Sequence, residues 1–562
     1  MSRQPDTNSA ENESLADRGF QELLNRVERL EHSLALLDRR LQNVEASAVF
    51  KFLRWLGGKL GLGLARNDTP GRYAAWAQET EFRERLERVR QTALPQQAGC
   101  VSIVIDARGA EPEKFAKTLK SIARQTHSRW ELAVDAGSES AEWVKACVAE
   151  YTGGRRAGIG GVSETALTGE FTAFIHPHSI LDAGLLEDWL RFCESGTAAV
   201  YSDWDHIDSS GRRHSPRFTP EFSPSLLLQT NYFGTCLLAR TAVLRALGWP
   251  ELAAKDVPAR LAEARAKIRR IPRILWHLQD SPADFEDPRP FSGPGPAASM
   301  IVCTRNPARL EKSLRALSPP PGSRHEIVTV IHGASGGSSK LEQIATAAGA
   351  RPVRFEGPFH FGEMNRLGVE ASRNEVLAFL NDDVYPLEKT WLDRMSVQAA
   401  TKDVGIVGAL LLYPNRTIQH AGIVVGSWRQ PTHLGRGQTG SPLWPWLRMT
   451  REVTAVTGAC MVLRREIWDE LGGFDPQFPV NYNDVDLCLR AGERGYRVLL
   501  EAGAVLIHEE ARTRIATVSP EESARFFERW SQVAREPDRF FNPQLTCDHQ
   551  TIELPPPWTA VR

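Results

Sequence analysis

The sequence predicts an α/β protein: two tandem layered domains preceded by a coiled-coil helix. Three observations carry this. From Val101 onward, apolar runs that end in polar turns alternate with helix-like stretches, the pattern of buried strands in an α/β layer. The same pattern returns about 200 residues later. Ahead of both, residues 20–48 place apolar side chains at alternating three- and four-residue steps.

The heptad stretch comes first in the chain. Phe20, Leu23, Val27, Leu30, Leu34, Leu37, Leu41, Val44 and Ala48 form one seam, with charged and amide residues on the other faces. Residues 1–16 read as disordered and 17–48 as the coiled coil, which would join copies of the chain; a single amphipathic helix packed on the body is the alternative. Residues 49–98 read as a helical linker that starts basic. Within 48–66, Lys51, Arg54, Lys59 and Arg66 interleave with Phe50, Phe52, Leu53, Trp55 and Leu56 and no acid. Such a stretch suits an anionic membrane surface, or a helix docked on the catalytic body.

The repeat is visible by eye. VSIVIDARG (101–109) parallels ASMIVCTRN (298–306), and RWELAVDAGS (129–138) parallels HEIVTVIHGAS (325–335). A constant offset of 197 would align Ser102 with Ser299 and Asp135 with His332. GEFTAFIHPHSIL (169–181) then parallels NEVLAFLNDDVYPL (374–387). These place one domain at 99–280 and a second at 298–518. The linker between them, 281–297, is rich in Pro, Gly and acids, and a C-terminal helix and tail occupy 519–562, with the helix around Phe526–Val533.

Composition narrows the function classes. Lys plus Arg number 68 and Asp plus Glu 69, a net charge of −1 that argues against a dedicated nucleic-acid binder. Eight cysteines without a CxxC pair read as reduced thiols in a cytoplasmic protein. The polar start lacks a secretory pattern, and no run of about 18 apolar residues suggests a membrane span.

Three acidic clusters carry the chemistry. In VLAFLNDDV (376–384) an apolar strand runs into Asn381, Asp382 and Asp383. Carboxylates at the carboxyl end of such a strand sit where α/β sheets bind ligands, and they suit Mg²⁺ or Mn²⁺; a simple turn is the competing reading. In NYNDVDLCLR (481–490), Asp484 and Asp486 open a helix, where acids serve either capping or acid/base chemistry. In AVLIHEEARTR (504–514) a strand ends at His508, and Arg514 offers a forked donor for a diphosphate.

Together these blocks resemble the inverting family-2 glycosyltransferases of the GT-A fold, and among them the large bacterial enzymes of O-antigen and capsule synthesis, often rhamnosyltransferases. The carrying segments are CTRN (303–306), FHFGEMNRLG (359–368), FLNDDV (379–384), TIQHAG (417–422), TGACMVLRREIWDELGGFD (457–475), NDVDLCLR (483–490), HEEARTR (508–514) and DRFFNPQLT (538–546). The resemblance implies two Rossmann-like mixed-sheet domains. It implies Asp484 as catalytic base and Asp382, Asp383 and His508 as metal ligands, with Mg²⁺ or Mn²⁺ bound. Thr304, Asn306, Asn365, Asn381 and Arg514 would meet the donor. Gly458, Ala459, Asp486 and His420 would lie at the acceptor or sugar. A nucleotide sugar, dTDP-rhamnose being suggested, and a lipid-linked glycan are the implied partners, with peripheral contact at the cytoplasmic face of the inner membrane.

Two departures stand out. His332 occupies a strand end where relatives carry an acid for the nucleotide. The first domain reads His176-Pro177-His178 at its acidic-motif position and AAKDVPARLAEA (253–264) where the base helix should start, so it reads as a degenerate copy. An active first domain using Asp203 and Asp205, or His176 and His178, is the alternative. For the whole chain, the competing readings are a non-catalytic coiled-coil scaffold with glycan-binding domains and a nucleotidyltransferase. The latter should show a Gly-rich phosphate loop, absent at 107–109 and 304–306. Trp428, Trp444 and Trp446 are candidates for stacking on a glycan.

Overall fold

The computed structural model describes residues 70–90, 99–137, 141–152, 157–159, 167–280, 293–319, 322–333, 338–426, 429–509, 518–547 and 551–555. The coiled coil at 17–48, the basic stretch at 48–66, Trp428 and Arg514 lie outside them. The chain divides into two compact units, residues 1–88 with 554–562, and residues 89–553. In the first, the described residues are 70–88, from the helix Pro70–Arg90, and 554–555; Tyr73, Trp76 and Ala77 of the helix are buried. Both α/β domains lie in the second.

The first domain is a nine-stranded mixed sheet. Its strands are β1 (Val101–Asp106), β2 (Trp130–Asp135), β3 (Ala157–Ile159), β4 (Phe171–Phe174), β5 (Ser179–Leu181), β6 (Ala199–Ile207), β7 (Arg213–Arg217), β8 (Leu237–Arg240) and β9 (Ile268–Leu278). The order is β3-β2-β1-β4-β8-β6-β9-β5, with β7 beside β6. The second domain continues with β10 (Ala298–Thr304), β11 (Glu326–His332), β12 (Arg351–Phe355), β13 (Val376–Asn381), β14 (Val384–Pro386), β15 (Val404–Leu412), β16 (Ile418–His420), a separate hairpin of β17 (Ile423–Gly426) and β18 (Arg429–His433), β19 (Arg451–Glu452), β20 (Cys460–Arg464) and β21 (Arg497–His508). Its order is β12-β11-β10-β13-β20-β15-β21-β14.

The two orders match strand for strand, and so do the directions. In both, the first, second and fourth strands pair in parallel, the fourth pairs antiparallel with β8 or β20, and the last long strand pairs in parallel with β6 or β15. These are the two tandem mixed-sheet α/β domains the sequence predicts. The apolar runs explain the sheets. Strands covered by helices on both faces read as continuous hydrophobic segments, and Val101–Ile105 and Val376–Leu380 are wholly buried.

A buried latch fixes the register of the repeat. Ser102 donates its hydroxyl to Glu131 at 2.7 Å, and Ser299 donates to Glu326 at 2.6 Å. The amides of Gly169 and Asn374 donate in turn to the two serines. Glu131 and Glu326 are therefore equivalent, an offset of 195 rather than 197. This corrects the expected match of Asp135 with His332: Asp135 corresponds to Val330, and His332 lies two residues farther along its strand. Sequence spacing missed this because the whole connection from β10 to β11 is two residues shorter than that from β1 to β2.

Helix packing is close where it positions the site. A Cβ on Gly368 would lie 2.4 Å from the Ile301 side chain, so glycine lets the helix Phe361–Ala371 approach β10. The domains meet through buried polar contacts. Glu452 accepts from Ser223, Ser225 and Arg497, Trp446 donates its indole N–H to the Phe218 carbonyl at 2.7 Å, and Asn542 donates to Asp203 at 2.7 Å.

Candidate active site

The acid turn sits at the carboxyl end of β13, where the sheet stops and its side chains meet polar loops. Asp382 accepts from the Thr304 hydroxyl at 2.7 Å. Asp383 turns the other way, its Oδ1 3.3 Å from His508 Nε2. The pairing of Val384 with His508 across β14 and β21 brings these two together. Both are buried, and His508 Nδ1 is a buried nitrogen with no partner among the described residues. Burial pushes the Asp382 carboxyl above its ordinary value, opposed by the Thr304 hydroxyl, while the nearby Asp383 charge adds to the rise.

Arg309 is the site residue that sequence reasoning missed. Its guanidinium lies 3.7 Å from Asp382 and 3.6 Å from Asp383. Asn306 sets it there. As N-cap of the helix Pro307–Leu317, Asn306 accepts from the amides of Ala308 and Arg309 at 3.0 and 3.1 Å. The signal was present: an Asn-Pro helix start places the residue three positions on beside the cap, facing the strand ends.

The helix that carries the expected base is Asn483–Glu493, with Asp484 in its first turn. Asp484 Oδ2 accepts from the Gly458 amide at 2.8 Å, and its Oδ1 from its neighbour Val485 at 2.9 Å. Burial raises the carboxyl pKa, and these amides draw it partly back. The next residue of the same loop, Ala459, accepts from the Asn381 amide at 3.1 Å. One loop thus joins the acid turn to Asp484. A Cβ at 458 would lie in ordinary contact with both neighbours, 3.4 Å from the Phe361 ring and 3.5 Å from Asp484.

Residues 294–536 match the model of the glycosyltransferase-like family 2. That match spans the second domain. The chain is 28% identical over 556 residues to O-antigen biosynthesis protein RfbC of Myxococcus xanthus, covering 84% of this chain and 42% of that protein. It is 29% identical over 124 residues to N-acetylglucosaminyl-diphospho-decaprenol L-rhamnosyltransferase of Mycobacterium tuberculosis, covering 19% and 38%. Among solved structures, GalNAc-T7 with UDP, GalNAc and Mn²⁺ superposes with a TM-score of 0.36 at 14% identity, covering 45% of this chain and 49% of that one. The chain spans less than two thirds of the length of each of these relatives.

Several predicted residues of the second domain lie inside the core. Asp486, expected at the acceptor, is fully buried, with Arg490 on Oδ2 at 2.8 Å and the Trp530 indole on Oδ1 at 3.1 Å. Asn365 is buried on its helix and donates to the Phe361 carbonyl. His420 is buried against His433, with Nδ1 atoms 3.0 Å apart, and burial holds its pKa well below the ordinary range. Neither presents a side chain at the surface for a sugar. Trp444 and Trp446 are wholly buried core residues, not stacking platforms. His332 binds the Gly357 carbonyl at 2.9 Å and packs on Phe355 and Phe359.

The first domain inverts the acid turn of the second domain. Matching registers make His178 the counterpart of Asp383. His178 Nδ1 pairs with Asp280 at 2.9 Å, and its Nε2 accepts from the Glu111 amide at 2.9 Å. Lys114 also pairs with Asp280 at 2.8 Å. Among the described residues, His176, His178 and Asp280 are the group spaced closely enough to hold a metal ion. Yet an amide donating to Nε2 fixes the His178 proton on Nδ1, facing Asp280, and leaves that ring no lone pair for an ion. The helix equivalent to the base helix, Val257–Glu263, follows Ala254 and the exposed Asp256.

Proposed function

We propose that this chain transfers a sugar from a nucleotide-sugar donor to a growing surface polysaccharide by metal-dependent, inverting displacement. The single loop that ties Asn381 to Ala459 and Gly458 to Asp484 carries the reading. Inversion needs a base on the acceptor side and charge neutralisation on the leaving diphosphate, held in line. The loop fixes the distance between groups suited to those two tasks.

Asp484 is the base in this reading. Its half-buried carboxylate, raised in pKa, takes the proton of the acceptor hydroxyl as that oxygen attacks the anomeric carbon. Asp383 and His508 have the hard-oxygen and imidazole chemistry for Mg²⁺ or Mn²⁺, and the orphaned His508 Nδ1 marks the side chain as short of a partner. When bound, the ion supplies charge neutralisation for the leaving diphosphate. Arg309 adds a forked cation beside both acids. Thr304 orients Asp382. The relatives named for O-antigen biosynthesis and for rhamnosyl transfer favour a dTDP-rhamnose donor and a lipid-linked acceptor. In this reading the first domain is a non-catalytic copy, because its Asp383 position is a locked His178 and the helix equivalent to the base helix has no acid in its first turn.

The test is transfer itself. The full chain, a panel of nucleotide sugars, Mn²⁺ or Mg²⁺ and a lipid-linked acceptor should give product with one donor. Neither transfer nor donor hydrolysis with any member of the panel would sink the proposal.

A further inference from the structure

The C-terminal segment holds a carboxylate that the chemistry above does not use. Ser519-Pro520-Glu521-Glu522 opens the helix Pro520–Arg529 and reads as a capping box, in which the fourth residue returns to the cap amide. The structure keeps half of it. The Ser519 hydroxyl accepts from the Glu522 amide at 3.4 Å, but the Glu522 side chain leaves its own helix. It is buried, and it accepts from the amides of Val480 and Asn481, each at 3.0 Å, and from the Asn481 side chain at 2.7 Å. No cation among the described residues pairs with it.

Those amides belong to the turn that launches the base helix. Tyr482 stands there at φ +62°, a left-handed conformation that a bulky side chain adopts only when its surroundings impose it, at a cost of about 1–3 kcal/mol. The surroundings come from the same C-terminal segment. The Tyr482 ring stacks on Phe526 at 4.6 Å and 15°, and Trp530 and Arg529 bind Asp486 one turn into the helix. The Tyr482 carbonyl then accepts from the Asp486 amide at 2.8 Å, starting the helix on which Asp484 sits.

We infer that Glu522 is a positioning residue for Asp484: it holds the 480–482 turn in its strained form and so fixes the direction from which the base meets the acceptor hydroxyl. The inference rests on the proposed role of Asp484. Its carboxylate works through three neutral N–H donors, which makes the clamp geometric rather than a salt bridge.

Glu522→Gln tests it with little change of volume. Amide hydrogen exchange on the full chain needs no substrate. Exchange across 479–487 should quicken by about tenfold or more while the rest of the second domain keeps its protection. With the donor that the panel identifies, kcat should fall by roughly 10- to 100-fold, donor KM should hold, and the acidic limb of the pH–rate profile should shift. Unchanged exchange in 479–487 would overturn the inference. So would a lowered melting temperature with wild-type kcat and pH profile, the result of a merely structural role. Phe526→Leu, which removes the stack but keeps an apolar side chain, should reproduce the exchange change in the same peptide; protection equal to wild type there counts against the clamp. Asp484→Asn separates the two readings. If Asp484→Asn retains transfer, the base assignment fails. If it is inactive and Glu522→Gln is not slowed, only the positioning role fails.

Discussion

The Gly458 amide donates to Asp484 Oδ2 at 2.8 Å, so the proposed base is held by backbone rather than by a charged side chain. A neutral donor steadies the carboxylate without a cation that would quench its basicity. Asp484→Asn removes that basicity and keeps the shape. Transfer should drop by roughly 10²–10⁴-fold while donor binding, read by calorimetry, stays near wild type. Full transfer in this variant would reject the assignment.

The same environment sets a pH dependence. Burial raises the Asp484 pKa, so the base form is lost on acidification earlier than for an exposed aspartate. A base acts when deprotonated. Activity should therefore fall as pH drops through a midpoint above that of an ordinary aspartate, and Asp484→Asn should erase that limb from its residual rate. A limb unmoved by the substitution would assign the titration elsewhere.

Gly458→Ala probes the space rather than the bond. Its Cβ would make ordinary contacts at 3.4 and 3.5 Å, so folding should cost less than about 1 kcal/mol. The added methyl nonetheless lies between Phe361 and Asp484, and kcat should suffer more than stability. A melting temperature that collapses while the folded fraction keeps full activity would contradict this.

On the acid side, Asp383→Asn and His508→Ala should each weaken Mn²⁺ binding at least tenfold by calorimetry, and a chelator should silence the wild type. Arg309→Ala should instead raise donor KM and leave ion affinity the same or higher, since it removes a competing cation. Equal metal affinity in all three variants would remove the ion from this turn.

Much of this was legible in the sequence, for a physical reason. Buried strands on doubly covered sheets must be continuously apolar, so Val101–Ile105 and Val376–Leu380 announced themselves, and the polar groups at their ends followed. What spacing could not show was where a side chain turns. Asp484 and Asp486 lie two apart on one helix, yet one reaches the Gly458 amide and the other is spent on Arg490 and Trp530. Glu522 reads as a cap and acts on another element. Arg309 gained its place only when β10 and β13 were set side by side. Trp444 and Trp446 were sorted to the core by contacts with the first domain and the C-terminal segment, which no local pattern contains.

The domain junction gives the last prediction. Glu452 is 2% exposed and accepts from Ser223 and Ser225 of the first domain while pairing with Arg497 of β21. Arg497 reaches back to Ser225 at 2.9 Å and to Asp403 at 3.0 Å. Glu452→Ala leaves a largely buried guanidinium with one carboxylate fewer and two hydroxyls without an acceptor. Breaking a buried pair on one side costs on the order of 3 kcal/mol, somewhat less here because Arg497 keeps Asp403 and some solvent. Glu452→Gln preserves the serine acceptors and should recover part of that loss. Because β21 ends at His508, the proposed metal-side residue, loosening its start should also lower activity below the level that the folded fraction explains. Chemical denaturation of both variants, with activity measured per folded molecule, checks this. Wild-type stability in Glu452→Ala would show that the two domains do not depend on this junction.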